Sequence, residues 1–275
     1  MMKKINCPIC FKTNNCTDDV SVLCSNCKCL INLKVSNYDY ANKGGQNIPD
    51  KKKHDARLEN CKLRFDIIKK YSDKYQTFVD VGTGSGEMII VGKKFFNHSI
   101  GFEPSKELND YYKEHQIEVY NSEFDYKKIQ PFLKKNINIF YSLNHVLEHN
   151  PNPIKLISDI TFYNKKIAFY IEVPLYTGIS FKDQGFNWKL WYDQHYALYS
   201  IDTLKYISKE LNMQILEHGF RTFSSDSYSF KKNLFLFIKH PIRFLNTCLL
   251  YFTNNKHTFM DIFLRDYGYI IIKYK

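Results

Sequence analysis

A glycine-rich turn between a short apolar run and a helical segment constrains the fold of this 275-residue chain more than any other feature. Residues 77–81 read Thr-Phe-Val-Asp-Val, which predicts a buried strand, and Gly82, Gly84 and Gly86 follow it at alternate positions. Glycine is needed where the backbone turns sharply and where a ligand must approach main-chain atoms. Because strand, turn and helix occur in that order, the segment predicts a pocket for a nucleoside or nucleotide.

The residues around the turn restrict which nucleotide fits. Glu87 stands at the third-glycine position of the dinucleotide fingerprint, where its carboxylate would repel a pyrophosphate. A phosphate loop is excluded as well, because no Gly-Lys-Ser/Thr run follows. The acidic turn favours a ligand with a cationic end, and S-adenosylmethionine (SAM) carries a sulfonium and an ammonium group. The predicted SAM-binding residues of this segment are Asp80, Gly82, Thr83, Gly84 and Gly86.

The ends of the next two strands complete the predicted SAM site. The second strand ends in Gly-Phe-Glu-Pro, with Glu103 about twenty residues beyond the turn, the spacing at which an acidic side chain meets a ribose diol. Pro104 adjoins it. Phe124 follows the third strand, where an adenine ring would be flanked, so it is assigned either to the base or to the core.

Short apolar runs alternate with helical stretches beyond a first helix predicted at 55–71, and this alternation predicts a parallel sheet with crossover helices. Seven strands in an open, doubly wound α/β arrangement account for the pattern. The predicted strands are 77–81, 99–102, 117–120, 137–143, 166–173, 214–218 and 267–274.

Three runs, at 79–86, 101–105 and 142–151, together resemble the class I SAM-dependent methyltransferases. The last run contains His-Val-Leu-Glu-His, which is typical of one group among them, and the match spans roughly residues 60–220. The resemblance implies a Rossmann-like, seven-stranded sheet with SAM across the switch point. It also implies that Asn144 and His145 line the methionine end of the cofactor.

Histidines after the fourth and fifth strands are candidate functional groups. His145, Glu148 and His149 have helical spacing, and His195 would complete a set of four metal ligands. Some related methyltransferases hold a catalytic metal at a Glu-x-x-Glu-His run, but a histidine stands at the first of those positions here. We therefore favour a role for Glu148 and His149 in capping and orienting their loop.

The run 191–196, Trp-Tyr-Asp-Gln-His-Tyr, resembles a Tyr-x-Glu-His stretch of sugar methyltransferases that carry an N-terminal zinc module. This resemblance implies that His195 is the general base, and we place Tyr192 and His145 with it in the candidate catalytic set. Histidine suits the role because its ordinary pKa of about 6.5 lets it accept a proton near neutrality. Gln194 replaces the family's glutamate, so either the acid is dispensable or transfer goes to oxygen instead of carbon. The other interpretation is that His195 is a loop residue whose side chain is hydrogen-bonded to the backbone.

Two Cys-x-x-Cys pairs, thirteen residues apart, predict a zinc site near the N-terminus. Four thiolates make a closed, structural Zn²⁺ site, and in so short a segment the metal would substitute for a core. The predicted ligands are Cys7, Cys10, Cys24 and Cys27. Cys16 or Cys29 could replace one of them, and an iron–sulfur cluster or a redox pair is the alternative.

The chain accordingly divides into a zinc-ribbon module at 1–34, a linker at 35–60 and a SAM-dependent methyltransferase domain at 61–275. An aromatic substrate loop is predicted at 175–200 and a helical insertion at 221–266. We expect a cytoplasmic protein, because no signal peptide and no apolar run of the ~18–20 residues that span a bilayer is present.

The predicted function is SAM-dependent methylation of a small molecule. The resemblance to sugar methyltransferases implies a nucleotide-linked sugar or a surface-polysaccharide precursor as the substrate. An RNA or protein methyltransferase is the alternative, because the net charge is +11 and zinc ribbons often bind nucleic acid. A third interpretation is a non-catalytic SAM-binding or membrane-surface protein, since residues 230–252 are apolar and basic. For that segment we favour a buried helical pair split at Pro241.

Overall fold

The computed structural model describes residues 3–36, 47–133, 137–222, 237–253 and 259–275. Its N-terminal, cysteine-rich lobe is built from two short antiparallel strand pairs, the first with the second and the third with the fourth. These strands are β1 (Lys4–Asn6), β2 (Thr13–Asn15), β3 (Ser21–Leu23) and β4 (Leu30–Asn32). Residues 37–46 of the predicted linker lie outside the described residues.

The later strands form one large sheet, apart from a two-residue strand that joins the N-terminal lobe. They are β5 (Thr77–Val81), β6 (His98–Phe102), β7 (Val119–Tyr120), β8 (Ile139–Asn144), β9 (Ile167–Pro174), β10 (Ala197–Leu198), β11 (Met213–Arg221) and β12 (Tyr267–Tyr274). The large sheet has the order β11-β12-β9-β8-β5-β6-β7. Strands β5 to β9 pair in parallel, whereas β12 is antiparallel to both β9 and β11. The predicted seven-stranded, Rossmann-like α/β fold is confirmed.

Nine α-helices connect the strands within the described residues. They are α1 (Lys51–Ser72), α2 (Glu87–Gly92), α3 (Asn109–Glu114), α4 (Tyr126–Leu133), α5 (Pro153–Tyr163), α6 (Ile179–Gln184), α7 (Ile201–Glu210), α8 (Pro241–Thr253) and α9 (Phe259–Leu264). Helix α1 begins four residues before the predicted start, because the Asp50 side chain accepts a hydrogen bond from the Lys53 amide at 2.8 Å and caps it. The last ten residues of the predicted linker, 51–60, are therefore helical.

Both faces of the large sheet are buried, which explains why its central strands are continuously apolar. Along β5, Phe78 belongs to a core cluster with Phe65 of α1 and Ile89 of α2. The next residue, Val79, belongs to a second cluster with Ile157 of α5 and other side chains. The edge strands follow the sequence prediction less closely. Strand β7 keeps two of four predicted residues, and β11, which is partly exposed and irregular near Ile215, extends beyond its predicted range.

Main-chain pairing joins the cysteine-rich lobe to the loop that follows β9 of the large sheet. Strand β10 pairs with β4, so that Ala197 lies opposite Ile31 and Leu198 opposite Leu30. The Asn32 side chain adds hydrogen bonds from Nδ2 to the carbonyl oxygens of Tyr192 at 3.0 Å and His195 at 2.9 Å. The lobe therefore holds the end of the predicted substrate loop.

The predicted helical insertion at 221–266 is described at 237–253 and 259–264, where α8 and α9 lie, and residues 223–236 and 254–258 fall outside the described part. Phe237 and Phe244 pack against α9, with 4.7 Å between the ring centroids of Phe237 and Phe263. Across the described residues, no helix combines the length and the apolarity that crossing a membrane requires.

Candidate active site

The glycine turn adopts a backbone that side chains would obstruct. Gly82 has φ of +73° and Gly86 has φ of +86°, both in the left-handed region. A Cβ on Gly82 would lie 2.7 Å from Cγ2 of Val146, and one on Gly86 would lie 2.8 Å from Cγ2 of Ile117. The turn therefore needs glycine for both conformation and space, as the sequence predicted.

Two cavities meet at this turn, because Gly82 and His145 line both of them. The first, of about 330 Å³, lies between α1 and the ends of β5 and β8. The second, of about 240 Å³, lies beyond the ends of β5 and β6. Predicted residues that line the first cavity are Asp80, Gly82, Thr83, Gly84, Asn144 and His145. Those that line the second are Gly82, Glu103, Pro104, Phe124 and His145. Gly86 shapes the turn and lines neither.

Asp80 is a buried carboxylate at the end of the central strand. Its Oδ1 accepts hydrogen bonds from the Ser142 hydroxyl and from Nδ2 of Asn144, the latter at 3.3 Å. Burial raises the pKa of Asp80 to about 6, because desolvation disfavours its charged form. A cation in the first cavity would favour the ionised carboxylate.

Glu103 is fixed against the glycine turn. Its Oε2 accepts from the Gly84 amide at 2.9 Å and its Oε1 accepts from the Ser105 amide at 3.1 Å. Burial raises the pKa of this carboxyl group, while the two amides lower it. A carboxylate oxygen has two lone pairs, so both oxygens keep acceptor capacity toward the second cavity. The Phe124 ring lies 5.1 Å from that of Phe102 and also lines this cavity, so it belongs to both the core and the wall.

Helix α1 contributes side chains that the sequence prediction missed. Arg57 lines the first cavity and donates from Nη1 to the Ser85 hydroxyl at 2.5 Å. Ser85 in turn donates to Glu87, whose Oε1 lies 3.3 Å from Nδ1 of His54. Both α1 residues fall in the predicted linker. Arg57 also lies within the predicted helix at 55–71, and the capping Asp50 was the signal that would have extended that helix over His54.

His145 joins two buried carboxylates at the junction of the cavities. Its Nδ1 lies 3.2 Å from Oε1 of Glu148 and its Nε2 lies 3.4 Å from Oε1 of Glu172, which is also bound by Arg64 and Tyr170. Burial alone would lower the pKa of His145, but hydrogen bonds to the two carboxylates outweigh it and raise that pKa to about 9. The two carboxylates therefore favour the protonated, cationic form of His145.

His195 is buried behind the wall of the second cavity. Its ring lies 4.4 Å from that of His149 and 4.1 Å from that of Tyr192, measured between centroids. Its Nδ1 donates to the Leu190 carbonyl at 2.8 Å, and burial lowers its pKa to about 4. Of the two histidines, His149 is the one that lines the cavity, as far as the described residues define it.

Two groups of side chains have a geometry that could hold a metal ion. The Sγ atoms of the four predicted zinc ligands all lie within 4.8 Å of one another. Cys29 lies beside them, with its Sγ 3.5 Å from that of Cys7, whereas Cys16 is not in the group. Glu148, His149 and His195 also offer one ligand atom each within 4.8 Å. The structure therefore brings these three together, whether they bind a metal or orient the loop.

The sheet order, the glycine turn after β5 and the acidic residue after β6 define the class I SAM-dependent methyltransferase fold. Residues 52–218 match the family model described as a methyltransferase domain, and the chain belongs to this family. It is accordingly an enzyme, a methyltransferase with SAM as its methyl donor.

Solved structures share the fold at low sequence identity. A SAM-dependent methyltransferase from Archaeoglobus fulgidus is 20% identical, with a TM-score of 0.51 over 78% of this chain and 94% of that chain. A chain of the complex between the Haloferax volcanii Trm112 methyltransferase activator and a methyltransferase is 12% identical, with a TM-score of 0.50 over 83% and 99% of the two chains. No curated protein sequence matches the chain.

Proposed function

We propose that the enzyme methylates a small molecule, a nucleotide-linked sugar or another precursor of a surface polysaccharide. The observation that carries the proposal is the aromatic loop beyond β9, held by the cysteine-rich lobe. The Phe181, Phe186 and Trp191 rings of this loop lie 5.1–6.0 Å from one another, and Phe186 is exposed. Aromatic faces of this kind suit a sugar ring or a nucleobase.

SAM is proposed to bind across both cavities. Its methionine end would occupy the first, with its cationic groups near Asp80 and its carboxylate near the Arg57 guanidinium, which suits a carboxylate partner. Its adenosine would occupy the second, with Glu103 accepting from the ribose hydroxyls and Phe124 against the base. When bound, SAM supplies an electrophilic methyl group for attack by the acceptor.

Deprotonation of the acceptor is assigned to His149, with His195 as the residue that positions it. His149 reaches the cavity wall, and its Nδ1 donates to the Gln194 carbonyl at 3.2 Å. That bond places the proton on Nδ1, which makes Nε2 the accepting nitrogen. The predicted base, His195, packs behind it with Tyr192. His149 therefore takes the place of His195 as the proposed base. His195, the base predicted from the sequence, becomes the residue that positions it.

Four thiolates, from Cys7, Cys10, Cys24 and Cys27, are proposed to bind one structural Zn²⁺. Their mutual distances support a closed four-ligand site, and a full thiolate set leaves no open position for chemistry. The metal would act by holding the lobe together, and through the lobe it would hold the aromatic loop.

The acceptor class can be tested by transfer of a labelled methyl group from SAM. Purified enzyme is incubated with a panel of nucleotide-linked sugars and, separately, with RNA and protein acceptors. Label in a sugar, with none in RNA or protein, would support the proposal. Label in RNA or protein alone would refute the sugar assignment and leave the methyltransferase activity intact.

The base assignment is tested with His149→Ala and His195→Ala. Binding of SAM, measured by calorimetry, is expected to stay near the wild-type value in His195→Ala, which lies outside both cavities, and to weaken in His149→Ala by no more than the loss of one ring from the wall of the second cavity. Turnover is expected to fall in both variants, by about 10²–10⁴-fold in His149→Ala, because general-base catalysis typically contributes that much. Wild-type turnover in His149→Ala together with loss in His195→Ala would return the role of base to His195.

A further inference from the structure

Helix α8 is apolar on two opposite faces. The inner face packs on α6 and α9 through Phe244, next to Phe237, which precedes the helix. The outer face carries three aliphatic side chains spaced three and four residues apart, which places them in one stripe along the helix, and a fourth exposed aliphatic side chain lies just before the helix begins. They are Ile238, Ile242, Leu245 and Leu249, each between 62% and 75% exposed. A surface helix ordinarily carries polar residues there, so the outer stripe calls for an apolar partner.

The sequence of this segment carries charge of one sign, although Lys239 is ion-paired with Asp183 of α6. Residues 237–253 contain no Asp or Glu, but they include Lys239 and Arg243. The wider segment from 227 to 260 is also free of acidic residues. Because the whole chain carries +11, a second copy bringing the same cationic segment would be repelled. An anionic partner is favoured for the same reason.

A cationic cavity of about 250 Å³ opens at the flank of α8. Arg243, Arg265 and Lys182 line it, with Asp202 as the acidic side chain among the described lining residues. Within the described part of the chain, the buried Nε of Arg243 has no hydrogen-bond partner, while its Nη2 donates to the Leu264 carbonyl at 3.2 Å. Burial and the neighbouring Arg265 lower the pKa of Arg243 to about 10, and the nearby Asp266 offsets them only in part.

We propose that α8 docks on an anionic phospholipid surface, with its outer stripe at the acyl boundary and a headgroup phosphate in the cavity of Arg243 and Arg265. Arg243 follows Ile242 by one residue, about 100° around the helix axis, so the cavity borders the stripe. Paired guanidinium groups recognise phosphate oxygens. The thirteen-residue helix is too short to cross a bilayer but is suited to lie in its interface. The proposal is independent of the identity of the methyl acceptor.

The purified full chain is mixed with vesicles of phosphatidylcholine, or of phosphatidylcholine and phosphatidylglycerol in equal parts, and separated by flotation. The wild-type protein is expected to float with the anionic vesicles and to stay unbound with the neutral ones. Binding should weaken at high salt. Inorganic phosphate alone is expected to bind too weakly to displace the protein, because it lacks the acyl boundary. Displacement by phosphate beyond that caused by sodium chloride of equal ionic strength would assign the cavity to a free anion and overturn the membrane proposal.

Variants test the apolar stripe and the cationic cavity separately. Ile242→Ser with Leu245→Ser should reduce the bound fraction by about tenfold or more, because two apolar side chains lose their burial. Ile48→Ser, at another exposed isoleucine, is the matched control and should bind like wild type. Arg243→Gln should lower the preference for anionic vesicles. All variants should keep wild-type SAM affinity, which confirms that they fold.

Equal flotation of the wild type and the double variant would overturn the proposal, as would absence of wild-type flotation. Size-exclusion chromatography with light scattering tests the alternative occupant of the stripe, which is a second copy of the chain. A wild-type dimer that becomes a monomer in the double variant would show that the stripe is an interface between copies, which also overturns docking on lipid.

Discussion

Replacing Asn32 with alanine is expected to uncouple the cysteine-rich lobe from the loop that carries His195. Asn32 is buried, and its Nδ2 donates to two loop carbonyls, at 3.0 Å and 2.9 Å. Its Oδ1 also accepts from the Lys34 amide at 2.9 Å. Alanine leaves these groups without their partner. Since an unpaired buried polar group costs about 1–3 kcal/mol, and some of these regain water, the free energy of unfolding should fall by about 2–4 kcal/mol.

The substitution can be followed by thermal unfolding and by turnover. A loss of that size lowers Tm by about 4–16 °C, at about 2–4 °C per kcal/mol for a chain of this size. Turnover should fall by about 10–100-fold, because the loop that orients His149 and His195 loses its anchor and small displacements of catalytic groups are costly. SAM affinity should change little, since both proposed SAM cavities are lined by other elements.

Asn15→Ala is the matched control, because Asn15 is exposed on β2 of the same lobe. It should leave both Tm and turnover near their wild-type values. If Asn32→Ala behaves like Asn15→Ala in both assays, the lobe does not brace the loop and the reasoning is refuted. If Tm falls but turnover does not, the lobe stabilises the fold without positioning the catalytic groups.

Three further outcomes are expected. Glu103→Ala should weaken SAM binding, measured by calorimetry, by about 10–100-fold, because it removes charge-assisted bonds to the ribose, and an unchanged affinity would exclude that role. Because burial raises the pKa of Asp80 to about 6, the folded enzyme keeps this proton to a higher pH than the unfolded chain, and the stability this confers is lost as pH rises from about 4 through 6. Binding of cationic SAM should therefore tighten as pH rises through 6, and Asp80→Asn should remove this dependence. Metal analysis should find one zinc per chain, lost in the double variant Cys7→Ser with Cys24→Ser; a second metal lost in His149→Ala would show that the histidine group binds metal.

The sequence predicts well the features that depend on neighbouring residues. The alternation of apolar runs located five central strands, because strands buried on both faces are continuously apolar. The glycine turn was identified because its backbone excludes side chains, as Gly82 shows. The spacing of the cysteine pairs indicated which thiols come together, because each pair is a local turn.

Features that depend on distant packing were not visible in the sequence. The two residues of β10 are too few to register as a strand, and they become one only by pairing with β4, more than 160 residues earlier. Cys29 joins the thiol cluster because the chain folds back after Cys27, which spacing alone left open. His195 looked like a cavity residue, but the packing of His149 in front of it is a tertiary arrangement.

These long-range contacts give the cysteine-rich lobe a role beside the methyltransferase sheet. The loop after β9 carries the aromatic cluster and His195, but within it only α6, one short turn and the two-residue β10 supply regular structure. Such a loop pays a conformational cost each time its side chains are ordered for catalysis. The pairing of β4 with β10 and the Asn32 bonds hold its far end in advance, so a metal bound to the thiols would act on turnover without touching SAM. The lobe would then affect kcat more than SAM affinity, which is the split that Asn32→Ala is designed to measure.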